Sequence, residues 1–460
     1  MSHDPSVVLE RVAKSTQSVA SCITRSLRHL IRVAIAVFLV ADISWGGEPP
    51  VAVGEPLAQS VELGEMTEAA ERALTLLETA SAGSAEQRTC FTCHSQAHPV
   101  LAIVEARRRG FRIDEANLAG QVRHTVEHLS RGRQDYLQGR GQGGKADTAG
   151  YALWTLESGD FDDQETTGPV VAWLLGQQRA AGNWQRSSDR PPSEASHFAT
   201  TYVALKGIRD FATAEHFAAA VPAVASVPAV ASEPAAPREE GLPADQTTPR
   251  EKTTPREKTT LSEQAAPSEQ PDAAEQAATA DPSATGNDDV APGSVPSESL
   301  HPVGEYLCRA RDWLVATAAA DTEDRVFRLL SLHLVEAPES AIASAAQELL
   351  ASQREDGGWS QLDTLDSDAY ATGTALFALQ RTGHLAVDAP AYLRGLDYLL
   401  QSQHDDGSWH VASRSRPFQT YYETGFPHGK DQFISTSATA WATLAILLAQ
   451  PEQATVQPSP

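Results

Sequence analysis

The sequence predicts an all-α fold of repeated helical hairpins, on three observations. First, one pattern, Q-x-x-x-G-x-W, recurs as Gln178/Gly182/Trp184, Gln353/Gly357/Trp359 and Gln403/Gly407/Trp409, the last two tryptophans fifty residues apart. Second, each copy follows an apolar stretch of helical period that ends in Gln (VVAWLLGQQ, AAQELLASQ, LDYLLQSQ). Third, each precedes a small-residue helical stretch such as DAYATGTALFALQRTG or ISTSATAWATLAILLA. The unit is therefore helix, tight loop, helix, with glycine supplying a positive φ at the helix end and tryptophan burying a large apolar area.

In chain order, the first helices of the hairpins are expected near 66–80, 114–137, 167–179, 303–319, 339–353 and 389–403. The second helices are expected near 99–109, 147–158, 194–211, 321–335, 367–382 and 433–449. Six hairpins result. Between the two groups, 218–300 collapses into Pro, Ala, Glu, Ser and Thr, with tandem VPAVAS and TTPREK copies, and reads as a disordered insertion. Such an insertion lengthens an exposed connection at small entropic cost. The remaining divisions are 62–217 and 301–450 for the folded parts and 451–460 for a disordered tail.

At the N-terminus, residues 1–47 hold one strongly apolar run, Val33 to Ala41, behind Arg25, Arg28 and Arg32. Nine residues are too few to span a bilayer and suit the core of a signal peptide, an uncleaved anchor being the alternative. The chain is expected to be exported to a bacterial periplasm or cell envelope, with peripheral or N-terminal membrane association. With 36 Lys+Arg against 60 Asp+Glu the formal charge is -24, which repels a phosphate backbone and argues against nucleic acid.

At the repeated Gln, Gly and Trp residues the chain resembles the squalene-hopene cyclase and protein prenyltransferase superfamily, whose QW motifs tie successive hairpins of an α/α toroid. The resemblance covers most of the ordered chain. It implies outer helices ending at the QW loops and inner helices lining a central cavity, with the first outer helix closing beside the last inner one. Prenyltransferases of that superfamily bind zinc through an Asp, a Cys and a His, and no matching trio occurs here. Cyclases protonate an alkene through D-x-D-D, and Asp363-Thr-Leu-Asp366-Ser-Asp368-Ala369-Tyr370 looks like a decayed copy. Residue by residue, Asp368 takes the place of the acid and Asp366 that of its partner, while Ala369 stands where the last Asp belongs. The structural alternative is that Asp366 or Asp368 caps an inner helix. A fraction of 6% aromatics is low for a carbocation cavity.

The strongest chemical signal is Cys90-Phe91-Thr92-Cys93-His94, a C-x-x-C-H. Two thiols at this spacing form thioethers to the vinyl groups of a haem, and the adjacent histidine ligates its iron. The chain has only four cysteines; Cys22 lies in the signal region and Cys308 stands alone. The alternatives are a disulfide or half of a zinc site. One covalent haem c is expected at the rim where inner helices begin, in the place of a QW brace. Met1 and Met66 both precede the motif, so His/Met ligation is not expected. His98 falls on the same side as His94. His124 or His128, or an open position, is left opposite the iron. These two also form H-x-x-E-H with Glu127, a short match to inverted-motif zinc peptidases, whose fold is unrelated.

The expected function is electron transfer or haem-based sensing and binding, with a redox partner protein or a hydrophobic small molecule as partner. The alternatives are a triterpene cyclase-like isomerase and a non-catalytic lipid- or peptide-binding scaffold.

Overall fold

A computed structural model describes residues 62–213, 215–216, 302–417 and 420–452. These belong to one compact unit, Met1–Pro228 with Ser299–Pro460. The expected signal peptide, the expected disordered insertion and most of the expected tail lie outside the described residues, as does the second unit, Ala229–Glu298. Among the described residues there is no strand, and no helix is long and apolar enough to cross a membrane.

The chain forms an α/α toroid. The outer helices are α1 (Leu63–Gln87), α3 (Glu115–Arg131) with the short α4 (Arg133–Leu137), α6 (Gln164–Gly176), α8 (Pro302–Ala316), α10 (Glu339–Ala351) and α12 (Pro390–Ser402). The inner helices are α2 (His98–Arg108), α5 (Lys145–Ser158), α7 (His197–Phe211), α9 (Thr322–Leu334), α11 (Ala369–Arg381) and α13 (Gln432–Leu448). Each inner helix packs on the next, and α13 packs on α2, so the inner ring closes. Small residues permit the close approach. A Cβ on Gly373 of α11 would lie 2.6 Å from the Ala442 nitrogen of α13, and one on Gly150 of α5 would lie 2.6 Å from the Val203 backbone of α7.

The QW loops brace this ring identically. In each, the Gln amide donates to its own loop glycine and to a carbonyl of the following outer helix: Gln178 to Gly182 and Tyr306, Gln353 to Gly357 and Ala391, Gln403 to Gly407 and Ala69. Trp184, Trp359 and Trp409 are fully buried, and each indole N–H donates to a carbonyl ten residues back, at Leu174, Leu349 and Leu399. The third loop reaches Ala69 on α1, so one brace joins the two ends of the described chain.

The ring has no open bore. Every inner helix sends a ring inward: His98, Tyr151 and Trp154, Tyr202, Phe327, Phe377 and Trp441. Neighbouring centroids lie 5.0–6.3 Å apart, and all of these side chains are at least 94% buried. These rings fill the axis with one another.

Candidate functional site

Above this plug, on the side where the inner helices begin, lies a cavity of about 710 Å³. All five residues of Cys90–His94 line it, together with His128, Tyr151, Arg140, Lys145, Asp147, Arg190 and Glu194. The motif follows α1 and opens the first inner helix through a π-helical turn, Cys93–Ala97. Gln96 fixes the turn by accepting from the backbone N–H and the hydroxyl of Thr92 (2.8 and 2.6 Å). The glycine-rich loop before α5 also lines it, with Gly141 closely approached by the Trp173 ring, Gly144 by the Thr148 hydroxyl, and open space beside Gly143.

Within the motif the two thiols differ. Cys90 is exposed, whereas Cys93 is buried and its Sγ donates to the Glu194 carboxylate at 3.2 Å. Burial pushes the Cys93 thiol up to about 12, with the Arg190 cation opposing. Burial likewise pulls His94 down to about 3 and His128 down to about 4, so both imidazoles stay neutral at ordinary pH with a lone pair to offer. The Nε2 of His94 and the Nε2 of His128 are both buried without a hydrogen-bond partner. His124, one turn before His128, instead directs its Nε2 to the Cys90 carbonyl at 3.3 Å. His98 points into the plug, where its Nδ1 meets the Ser437 hydroxyl at 3.0 Å.

Among the described residues one group has metal-binding spacing: ligand atoms of Cys93, His94 and Glu194 lie within 4.8 Å of one another. Glu194 also pairs with Arg190 and accepts from the Ser188 hydroxyl at 3.0 Å. Asp147, in the first turn of α5, accepts from Thr200 at 2.5 Å and from Ser187, and burial raises its carboxyl. Deeper in the ring, Tyr370 donates to Glu323 at 3.1 Å; both are buried, and burial holds the Glu323 carboxyl well above its usual range. Asp147 and Glu323 stand in the first turns of inner helices, where the helix dipole favours a carboxylate.

Sequence reasoning overlooked Glu194, Arg190, Asp147 and the Glu323/Tyr370 pair. For Asp147 and Glu323 a signal was available, an acid in the first turn of a helix expected to be inner; Arg190 and Glu194 lie in an irregular loop without one.

The acids expected by analogy with cyclases stand before α11, after the second QW loop, as the sequence places them. Asp366 is exposed. Asp368 caps α11, accepting from the Ala371 N–H at 2.9 Å, and burial raises its carboxyl to about 6. Neither lines the rim cavity.

Comparison with known proteins bears on the second half of this ring. Residues 308–457 match the squalene-hopene cyclase C-terminal domain. A squalene–hopene cyclase of Bradyrhizobium diazoefficiens is 32% identical over 162 residues, which cover 31% of this chain and 22% of that relative. The chain thus spans less than a quarter of the relative's length. Two solved structures of a type II terpene cyclase from Scytonema, one with merosterolic acid A and one with geranylgeranyl dihydroxybenzoate, are 14% and 13% identical. Each alignment covers 84% of this chain and 97% of the other, with a TM-score of 0.43. The sequence match falls on the part of the ring that holds the second and third QW loops.

Proposed function

We propose that this chain is an exported, cyclase-like toroid that carries one haem c at its rim, in electron transfer or haem-based binding. One observation carries the reading: all five residues of C-x-x-C-H line a single cavity large enough for a macrocycle, and the buried Nε2 of His94 has no protein partner there. Cys90 and Cys93 would each add S–H across a vinyl group, sulfur to one carbon and the proton to the other, with no net oxidation. His94 would ligate the iron, and Arg140, Lys145 and Arg190 offer cations on the wall for propionates. When bound, haem supplies a one-electron iron couple tuned by its ligands and by burial. The chain's own part is to orient His94, exclude water with Phe91 and Tyr151, and hold the carboxylates of Asp147 and Glu194 at the cavity edge.

The test is expression in a bacterium able to mature c-type cytochromes. A haem stain that survives denaturing electrophoresis and disappears in Cys90→Ser/Cys93→Ser is the expected result. Colourless protein without added mass overturns the reading, and stoichiometric zinc in such material would point to Cys93, His94 and Glu194 as a simple metal site.

The sequence match over residues 308–457 favours a second reading, a terpenoid cyclase-like isomerase with Asp368 as acid. The raised carboxyl of Asp368 is in its favour; the filled axis and the charged lining of the rim cavity are not. Incubation with squalene, comparing wild type and Asp368→Asn, decides it: cyclised products lost in the variant support it.

A further inference from the structure

We infer that His128 is the ligand opposite His94, closing the iron to outside molecules and making this an electron-carrying rather than a gas-binding site. The inference rests on the haem reading above. Among the described residues two histidines line the rim cavity, His94 from the motif and His128 from α3. Both present a buried Nε2 with no partner. Gln142 and Tyr151 of the same lining also hold a buried oxygen without a partner, but of these four groups the two imidazoles are the neutral nitrogen donors suited to a haem iron.

The helix that bears His128 is tied to the motif on either side of it. One turn before, His124 meets the Cys90 carbonyl; three residues after, Arg131 donates to the Thr89 carbonyl. Between these anchors the His128 ring packs on Phe91 of the motif, centroids 6.1 Å apart. From the glycine-rich wall, Gln142 Nε2 donates to the His128 carbonyl at 2.9 Å, fixing the helix end against the cavity. The other histidines near the motif do not line the cavity: His124 turns its Nε2 to Cys90, and His98, whose Nδ1 meets Ser437 and whose Nε2 is also without a partner, stands in the axial plug. Met66 is buried on α1 and does not line the cavity.

The experiment uses haem-loaded full-length protein and compares optical and EPR spectra of wild type, His128→Ala and His124→Ala. The wild type is expected to be low-spin and six-coordinate in both oxidation states, with carbon monoxide binding slowly. His128→Ala should turn high-spin, bind carbon monoxide readily, and return to low spin when free imidazole is added; His124→Ala should keep the wild-type spectrum. A wild type already high-spin, or a low-spin His128→Ala without imidazole, overturns the assignment while leaving the haem in place. Wild type lacking covalent haem overturns both readings, and the stain reports that separately. Imidazole rescue excludes a variant that has merely misfolded.

Discussion

Glycine at the QW loops answers two demands at once, and the second explains why no other residue serves. Gly182, Gly357 and Gly407 all have positive φ (105°, 86° and 90°), which a side chain disfavours. Each also faces the backbone of the next outer helix. A Cβ on Gly357 would lie 2.4 Å from the Arg394 carbonyl oxygen, and one on Gly182 would lie 2.0 Å from that of Arg309. The Gln amide reaches across this same close approach, so a shift to relieve the clash would lengthen its bonds. Gly357→Ala should therefore lose more than strain alone, at least about 1–3 kcal/mol, read as a lower denaturation midpoint with unchanged slope. Ala351→Gly, at the last position of α10 and away from the interface, serves as the control and should cost about 1 kcal/mol or less.

Local structure was legible in the sequence, and contacts between distant segments were not. The Gln, Gly and Trp of a brace lie within seven residues and form one local structure, so their pattern is readable along the chain. Cys90, Cys93 and His94 are likewise local. Glu194 reaches Cys93 across 101 positions, and Tyr370 reaches Glu323 across 47; they meet only because the ring closes, and no periodicity records that.

Among the elements, three of the six inner helices begin with polar caps that do structural work even where catalytic acids were expected. Ser196 caps α7, Asp321 caps α9 and Asp368 caps α11 through side-chain bonds to the first-turn N–H groups. Most helix spans fall close to those expected; the first, expected near 66–80, runs on to Gln87, and the region near 114–137 is broken into α3 and α4 at Gly132. A Cβ there would collide with the Gln142 side chain, from a loop ten positions on whose approach periodicity does not record. Asp368 carries a pH prediction. Its folded carboxyl is raised to about 6, chiefly by burial, against 3.8 ordinarily, so folding favours the protonated form. Its contribution to stability is complete below about pH 3.8 and is lost as pH rises through about 6. Asp368→Asn keeps an oxygen to cap the helix and removes the titration. Stability of the wild type relative to this variant should fall between about pH 4 and 7, measured by denaturant midpoints across that range; parallel curves would refute the burial effect.

For the whole molecule, closure of the ring depends on pieces far apart in sequence, and the long connection between α7 and α8 is the place where dependence on length can be measured. Ala212, just past α7, and Tyr306, in the first turns of α8, line one apolar cavity of about 380 Å³, with Trp184 and Leu205 between them. The folded ends of the connection are thus held on one wall by packing and by the Gln178 bond to the Tyr306 carbonyl. The composition of 218–300 predicts a segment that contributes reach and no packing. Replacing it by a Gly/Ser linker of roughly ten residues shortens the loop about eightfold, which lowers the closure entropy by about 2 kcal/mol. The shortened chain should unfold a few degrees higher than the full one, with the same helical circular dichroism per folded residue and the same haem stain. A melting point that drops, or a chain that no longer unfolds cooperatively, would show that 218–300 packs against the ring. The opposite edge supplies the contrast. There Gln403 bonds to Ala69 and Arg72 to Gln403 (2.9 and 2.5 Å), so Gln403→Ala leaves the Ala69 carbonyl without its donor at the seam. That variant should lose about 1–3 kcal/mol, and the loss should persist in the shortened chain, since a seam between α12 and α1 is independent of how α7 is joined to α8.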